Sequence, residues 1–112
     1  MASTAERYEQ AAIDHAKYMH SGDSAASNRA HDRLHRALRE LRTQPDRGET
    51  TLLGLVNHTD ESVCVWSATH LLPLRQDVAV PVLERVASGS GHVAFDARMV
   101  LKEWQAGRLK PD

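Results

Sequence analysis

The run His31-Asp32-Arg33-Leu34-His35 places two histidines four residues apart, on one face of any helix that contains them. Two imidazoles at that spacing can jointly ligate zinc, as in the H-E-x-x-H pattern, where the glutamate serves as general base. Here that glutamate is replaced by Asp32, one methylene shorter, and no third ligand occurs at a diagnostic spacing. Arg39 and Arg42 are also poor neighbours for a cation, so surface or half-buried histidines are the better reading and neither metal nor cofactor is expected. Of the seven histidines, His15 falls inside a stripe of Tyr8, Ala12 and Met19 and reads as a hydrogen-bonded core residue, not a catalytic one. The single cysteine, Cys64, lies on the apolar side of its segment, where a thiol packs and does no chemistry. Gly89-Ser90-Gly91 lacks the preceding strand and the lysine of a phosphate loop, there is no G-x-S-x-G, and acidic residues scatter over different faces. A non-enzyme is expected.

Residues that can bind are easier to find than residues that can react. Arg29, Arg33 and Arg36 make a basic stripe on one helical segment, and no aromatic residue is interleaved to stack nucleobases. Such a stripe fits an acidic protein partner as well as or better than a nucleic acid. Trp66 and His70 form a second pair, off the main apolar stripe of their own helix, and Phe95 and Met99 occupy the equivalent places further on. A recurring off-stripe pair is expected to pack on a preceding helical hairpin; an exposed Trp66 would instead anchor an interface. The candidate partner-binding set is therefore Arg29, Arg33, Arg36, Trp66 and His70. Asn28 and Asp32, one turn apart, read as a polar bridge from this helix to the segments that follow.

The elements that must position these side chains are helices. Residues 4–20 place Ala5, Tyr8, Ala12, His15, Ala16 and Met19 on one stripe, with Thr4 as the expected cap. Gly22 and Asp23 suit a tight turn, the first at a left-handed C-terminal position and the second as the cap of the next helix. Ser24 to Arg42 then carries Ala26, Ala30, Leu34, Ala37, Leu38 and Leu41 at core-facing spacing. Gln44-Pro45-Asp46-Arg47-Gly48 breaks the pattern and closes an N-terminal hairpin over residues 4–43.

Next, Leu52, Leu53 and Val56 are expected to close a hairpin against a helix capped by Asp60, with Glu61 in its first turn and Val63, Cys64, Ala68, Leu71 and Leu72 on its inner face. Pro73 stops that helix, giving a first repeat over 50–73. Shifting Trp66, Ala68 and Leu72 by 29 residues lands on Phe95, Ala97 and Leu101, and shifting Leu52, Leu53 and Val56 by 30 lands on Val82, Leu83 and Val86. A second repeat over 78–106 follows, with Pro81 in the first turn of one helix and Val93, Ala94, Ala97, Val100, Leu101 and Trp104 buried by the other. The expected fold is all-α: about six helices as three stacked antiparallel hairpins in one domain, residues 1–112.

The leucine-rich helix, the Asp60 turn, Val63 and the run Trp66-Ser67-Ala68-x-His70-Leu71-Leu72 resemble HEAT repeats, and with Asn28-x-x-x-Asp32 the chain is similar throughout to a small bacterial family of unknown function built on that fold. The resemblance implies a HEAT/armadillo-like α-α superhelix that binds other proteins, and for small bacterial members an immunity or antitoxin role beside a toxin. The N-terminal hairpin departs from the HEAT pattern in being polar and arginine-rich.

Composition narrows the partners. Fourteen Lys and Arg against fifteen Asp and Glu give a formal charge of −1 over 112 residues, which disfavours a general binder of nucleic acid or anionic membranes. One cysteine, no apolar leader in MASTAERYEQ and no long apolar run lead to the expectation of a cytoplasmic protein. The sequence reading is a protein-interaction module with one protein partner, such as a toxin that it occludes. Alternatives are a homodimer-forming structural or regulatory subunit, favoured if Trp66, Phe95 and Met99 are exposed, and, less favoured, a metal- or nucleic-acid-binding helical domain.

Overall fold

The computed structural model describes residues 1–111, and among them the regular structure is entirely helical. Six helices follow one another: α1 (Thr4–Ser21), α2 (Ser24–Arg42), α3 (Glu49–Leu55), α4 (Glu61–Leu71), α5 (Gln76–Ala87) and α6 (His92–Gln105). The chain divides into two compact units, Met1–Thr51 and Leu52–Asp112, with the boundary inside α3.

In the first unit α1 and α2 form a close hairpin. Ser3, not Thr4, caps α1: its hydroxyl accepts from the Glu6 N–H while the Glu6 carboxylate accepts from the Ser3 N–H, a reciprocal capping box. Gly22 ends α1 with φ of 78°, a left-handed conformation that costs glycine nothing, and Asp23 caps α2 through the Ala26 N–H. The α2 stripe is buried as its spacing requires, with Leu34, Leu38 and Leu41 almost fully enclosed. On α1 the buried residues are Tyr8, Ala11 and Ala12, whereas Met19 is exposed and His15 half-buried. Helix α1 therefore contributes a short small-residue seam, not a long greasy one.

The second unit is built around α4, which is buried on nearly every side. Asp60 caps it, accepting from the Ser62 N–H and hydroxyl, and the buried hydroxyls of Ser67 and Thr69 donate back to the Val63 and Val65 carbonyls. That intrahelical donation lets polar side chains sit in a core without orphaned donors. Helix α4 approaches both α5 and α6 closely, and these two also pair; α3, only seven residues long, enters no close helix pairing among the described residues. Leu52, Leu55 and Val56 are nonetheless buried, while Leu53 is half-buried, and α4, α5 and α6 form the closely packed helices of this unit.

Two further differences have local causes. Helix α5 starts at Gln76, a turn before the expected position, so Pro81 lies inside it. The carbonyl that loses its donor is that of exposed Asp77, where water can take the bond. Helix α6 buries only Ala94 and Ala97, leaving Val93, Val100, Leu101 and Trp104 half-buried because the helix forms an outer layer.

Two glycines test this description. Gly48 has φ of 84°, and a Cβ there would stand 2.8 Å from the Leu41 Cβ, whereas Gly54 is helical with open space around it. Gly48→Ala is expected to destabilise the chain by about 1–3 kcal/mol. Gly54→Ala is expected to stabilise it by about 0.5–1 kcal/mol. Urea unfolding followed by circular dichroism measures both.

Candidate functional site

Mirror symmetry about the α1–α2 turn organises the charged face of the first unit. In a tight hairpin, residues equidistant from the turn lie across from each other, and three such pairs share one register: Arg7 with Glu40, Asp14 with Arg33, and Tyr18 with Arg29. Arg7 donates to both Glu40 oxygens, at 2.6 and 3.0 Å, and to the Thr4 hydroxyl at 3.0 Å. Arg33 donates from both terminal nitrogens to one Asp14 oxygen at 3.2 Å, and Gln10 donates to the other at 2.9 Å. These pairs fix the register of the hairpin, but being solvent-exposed they add little stability.

The third pair carries no ion pair. Arg29 stands opposite Tyr18, whose ring has the Lys17 ammonium 5.4 Å from its centre. Around it lies a shallow depression of about 330 Å³ lined by Tyr18, Ala26, Arg29, Asp32, Arg33 and Arg36. All three arginines predicted from the stripe are exposed and meet here. Their states differ: Arg33 is held by Asp14, while among the described residues Arg29 and Arg36 make no hydrogen bond or close ion pair, Arg36 having only a longer-range attraction to the Glu40 carboxylate. The residue across the hairpin from Arg36 is buried Ala11, and the nearby acid, Glu40, already serves Arg7. Asp32 is the one carboxylate in the lining, 4.0 Å from the His31 ring nitrogen.

Histidines cluster beside this face. The His31 and His35 rings are 4.2 Å apart, centre to centre, and His15 on α1 is 6.0 Å from His31. His15 is half-buried at this edge and not part of the core. Among the described residues no group of three or more His, Cys, Asp or Glu side chains is arranged to hold a metal ion.

The other two predicted binding residues lie in the second unit. Trp66 is half-buried, and His70, at 2 % exposure, is a buried residue with its ring 5.6 Å from that of Trp66. His70 is thus enclosed beside Trp66 and not presented at the surface of its unit; the reason is that α4 is buried on nearly all sides, which its sequence stripe does not reveal. Burial raises the Cys64 thiol above its ordinary pKa despite Arg85 nearby, and the Sγ donates to the His58 carbonyl at 3.0 Å. A protonated, packed thiol is a poor nucleophile. The large apolar side chains left exposed on helices are Met19 on α1 and Phe95 and Met99 on α6, the last two at 54 % and 37 %.

Tyr18 and Asp14 escaped the sequence reading, which grouped residues by helix face alone. The signal that finds them is register, because the Gly22-Asp23 turn fixes which residues of α1 and α2 stand opposite.

No protein-family model matches the chain, and no curated protein does. Among solved structures it is similar to the crystal structure of protein RPA1889 from Rhodopseudomonas palustris CGA009, with a TM-score of 0.88 and 21% identity over 97% of this chain and 91% of that one. At that identity the match shows a shared all-helical fold, in a bacterial protein, and nothing of function. No helix among the described residues is long and apolar enough to cross a membrane.

The Arg7 hydrogen bonds hold the Glu40 carboxyl below its ordinary pKa. A carboxyl depressed in the folded state stabilises fully above its unfolded pKa and loses that contribution as pH falls through the folded value. An NMR pH titration is expected to place Glu40 below the usual glutamate value of about 4.3, and Arg7→Ala to raise it most of the way back, with Arg36 still lowering it slightly.

Proposed function

We propose that the chain is a HEAT-like protein-interaction module whose α1–α2 face binds an acidic surface of one protein partner. The observation that carries this reading is the pair of exposed guanidiniums, Arg29 and Arg36, at the rim of a depression and without a hydrogen bond or close ion pair among the described residues, Arg36 having only a longer-range attraction to Glu40, while neighbouring Arg7 and Arg33 are paired. Arginine presents a planar, bidentate donor set suited to carboxylates, and two unpaired ones on a rigid helix are preorganised for them. Asp32 in the lining and the shortage of stacking rings weigh against nucleic acid. In its most specific form the module is a cytoplasmic immunity or antitoxin protein that occludes a toxin, a role that rests on the HEAT-like resemblance.

Affinity capture from the host's own extract tests the reading. The wild-type chain is expected to retain one specific protein that an Arg29→Glu, Arg36→Glu double variant, shown by circular dichroism to be folded, loses. Retention of the same protein by both would move the interface off α2. For the immunity role, the captured protein expressed alone should arrest growth, and co-expression of the wild-type chain should relieve it.

Phe95 and Met99, one turn apart on the outer face of α6, support a second reading, a homo-oligomer formed through that face. Light scattering would then show a concentration-dependent dimer that Met99→Glu converts to monomer; a monomer at all concentrations would remove this reading.

A further inference from the structure

The spacing within the depression selects the shape of what binds there, and this step rests on the interaction reading above. Arg29 and Arg36 are seven residues apart on α2, so their Cα atoms are separated by two turns, about 10 Å along the axis. An extended peptide matches this poorly: residues two apart on one face of a strand are about 7 Å apart, those four apart about 13 Å, and those three apart point to opposite faces. A second helix matches it directly, because side chains seven residues apart share one face at the same rise.

Between the two arginines stand Asp32 and the Asp14-bound Arg33, so the centre of the stripe is close to neutral and disfavours a third carboxylate. Ala26 and the half-buried Tyr18 give the depression an apolar part, and its volume of about 330 Å³, at the low end of the range of ligand pockets, has room for a side chain or two. We infer that the depression is the seat of an acidic helix of the protein partner, laid along α2, with carboxylates seven residues apart paired to Arg29 and Arg36 and an aliphatic side chain between them against Tyr18 and Ala26.

This is the helix-in-groove mode of recognition, with two charge-assisted anchors in place of the usual apolar ones. A polyanion without that geometry, such as single-stranded RNA, meets Asp32 in the seat and finds one aromatic ring already beneath Lys17.

Fluorescence anisotropy on the full chain tests it with three labelled, helix-stabilised peptides of equal length. One carries two glutamates seven residues apart, one carries them five apart on different faces, and one carries glutamines at the seven-residue positions. The first is expected to bind about tenfold more tightly than the five-spaced peptide and about a hundredfold more tightly than the glutamine peptide, differences corresponding to one and two strong ion pairs. Arg29→Gln and Arg36→Gln should each cost about tenfold towards the first peptide only, and Arg33→Gln less, since Asp14 already occupies it. Equal affinity for the seven- and five-spaced peptides, indifference to both arginine variants, no binding of any peptide, or tighter binding of a charge-matched RNA would each overturn the inference. If the peptides fail while the captured partner is still lost in the Arg29→Glu, Arg36→Glu variant, the interaction face stands and only the helical geometry falls.

Discussion

The close approach of α1 and α2 along a seam of small residues is the constraint on which the charged face depends. Ala11 and Ala12 on α1, with Ala26, Ala30 and Ala37 on α2, are all buried, and side chains of that size let two helix backbones come together. Closeness brings the flanking long side chains of both helices within reach of each other. Arg7 then reaches Glu40 across the hairpin, and Arg33 reaches Asp14. A bulkier seam would hold the helices apart and break both contacts. The tight turn at Gly22 and Asp23 sets the register, and the seam sets the distance.

Allocation of partners follows from that geometry. Acids stand opposite Arg7 and Arg33, a tyrosine opposite Arg29 and a buried alanine opposite Arg36. The same hairpin thus pairs two arginines closely and leaves two without a hydrogen bond or close ion pair among the described residues, although all four look alike in the sequence. Exposed ion pairs contribute little to stability, so the paired arginines serve chiefly to hold register. Net charge near zero fits the proposed interaction, which rests on two spaced guanidiniums at short range and needs no long-range field.

Much of the architecture was legible because strong local signals agreed. The α2 stripe, the Gly22-Asp23 turn and the Asp60 cap each point to one structure, and helix boundaries in the first unit follow within a residue. What was not legible depends on tertiary neighbours. Pro81 looks like a helix start, yet an exposed Asp77 carbonyl lets α5 begin earlier. His70 looks peripheral on a helical wheel, yet α4 is enclosed by more than one neighbour and its polar side chains bond within the helix. Phe95 and Met99 carry the pattern of a repeat but remain exposed, because α6 is an outer helix with only Ala94 and Ala97 fully inside. In the candidate site, the three arginines were visible as a stripe, but which of them are free depends on residues of α1 that no α2 pattern contains.

In the second unit, burial of polar Ser62, Ser67, Thr69 and His70 in one helix makes α4 a specific, hydrogen-bonded centre and not a generic apolar rod. Its chemistry is that of packing, whereas the recognition we propose uses groups on α2. Hydrogen exchange on the full chain, alone and bound to the protein it captures from its host's extract, tests that division most directly. The account predicts added protection along α2 from Ala26 to Arg36 and at Tyr18, with α4 unchanged. Protection confined to α6 around Phe95 and Met99, with α2 exchanging as in the free chain, would contradict it.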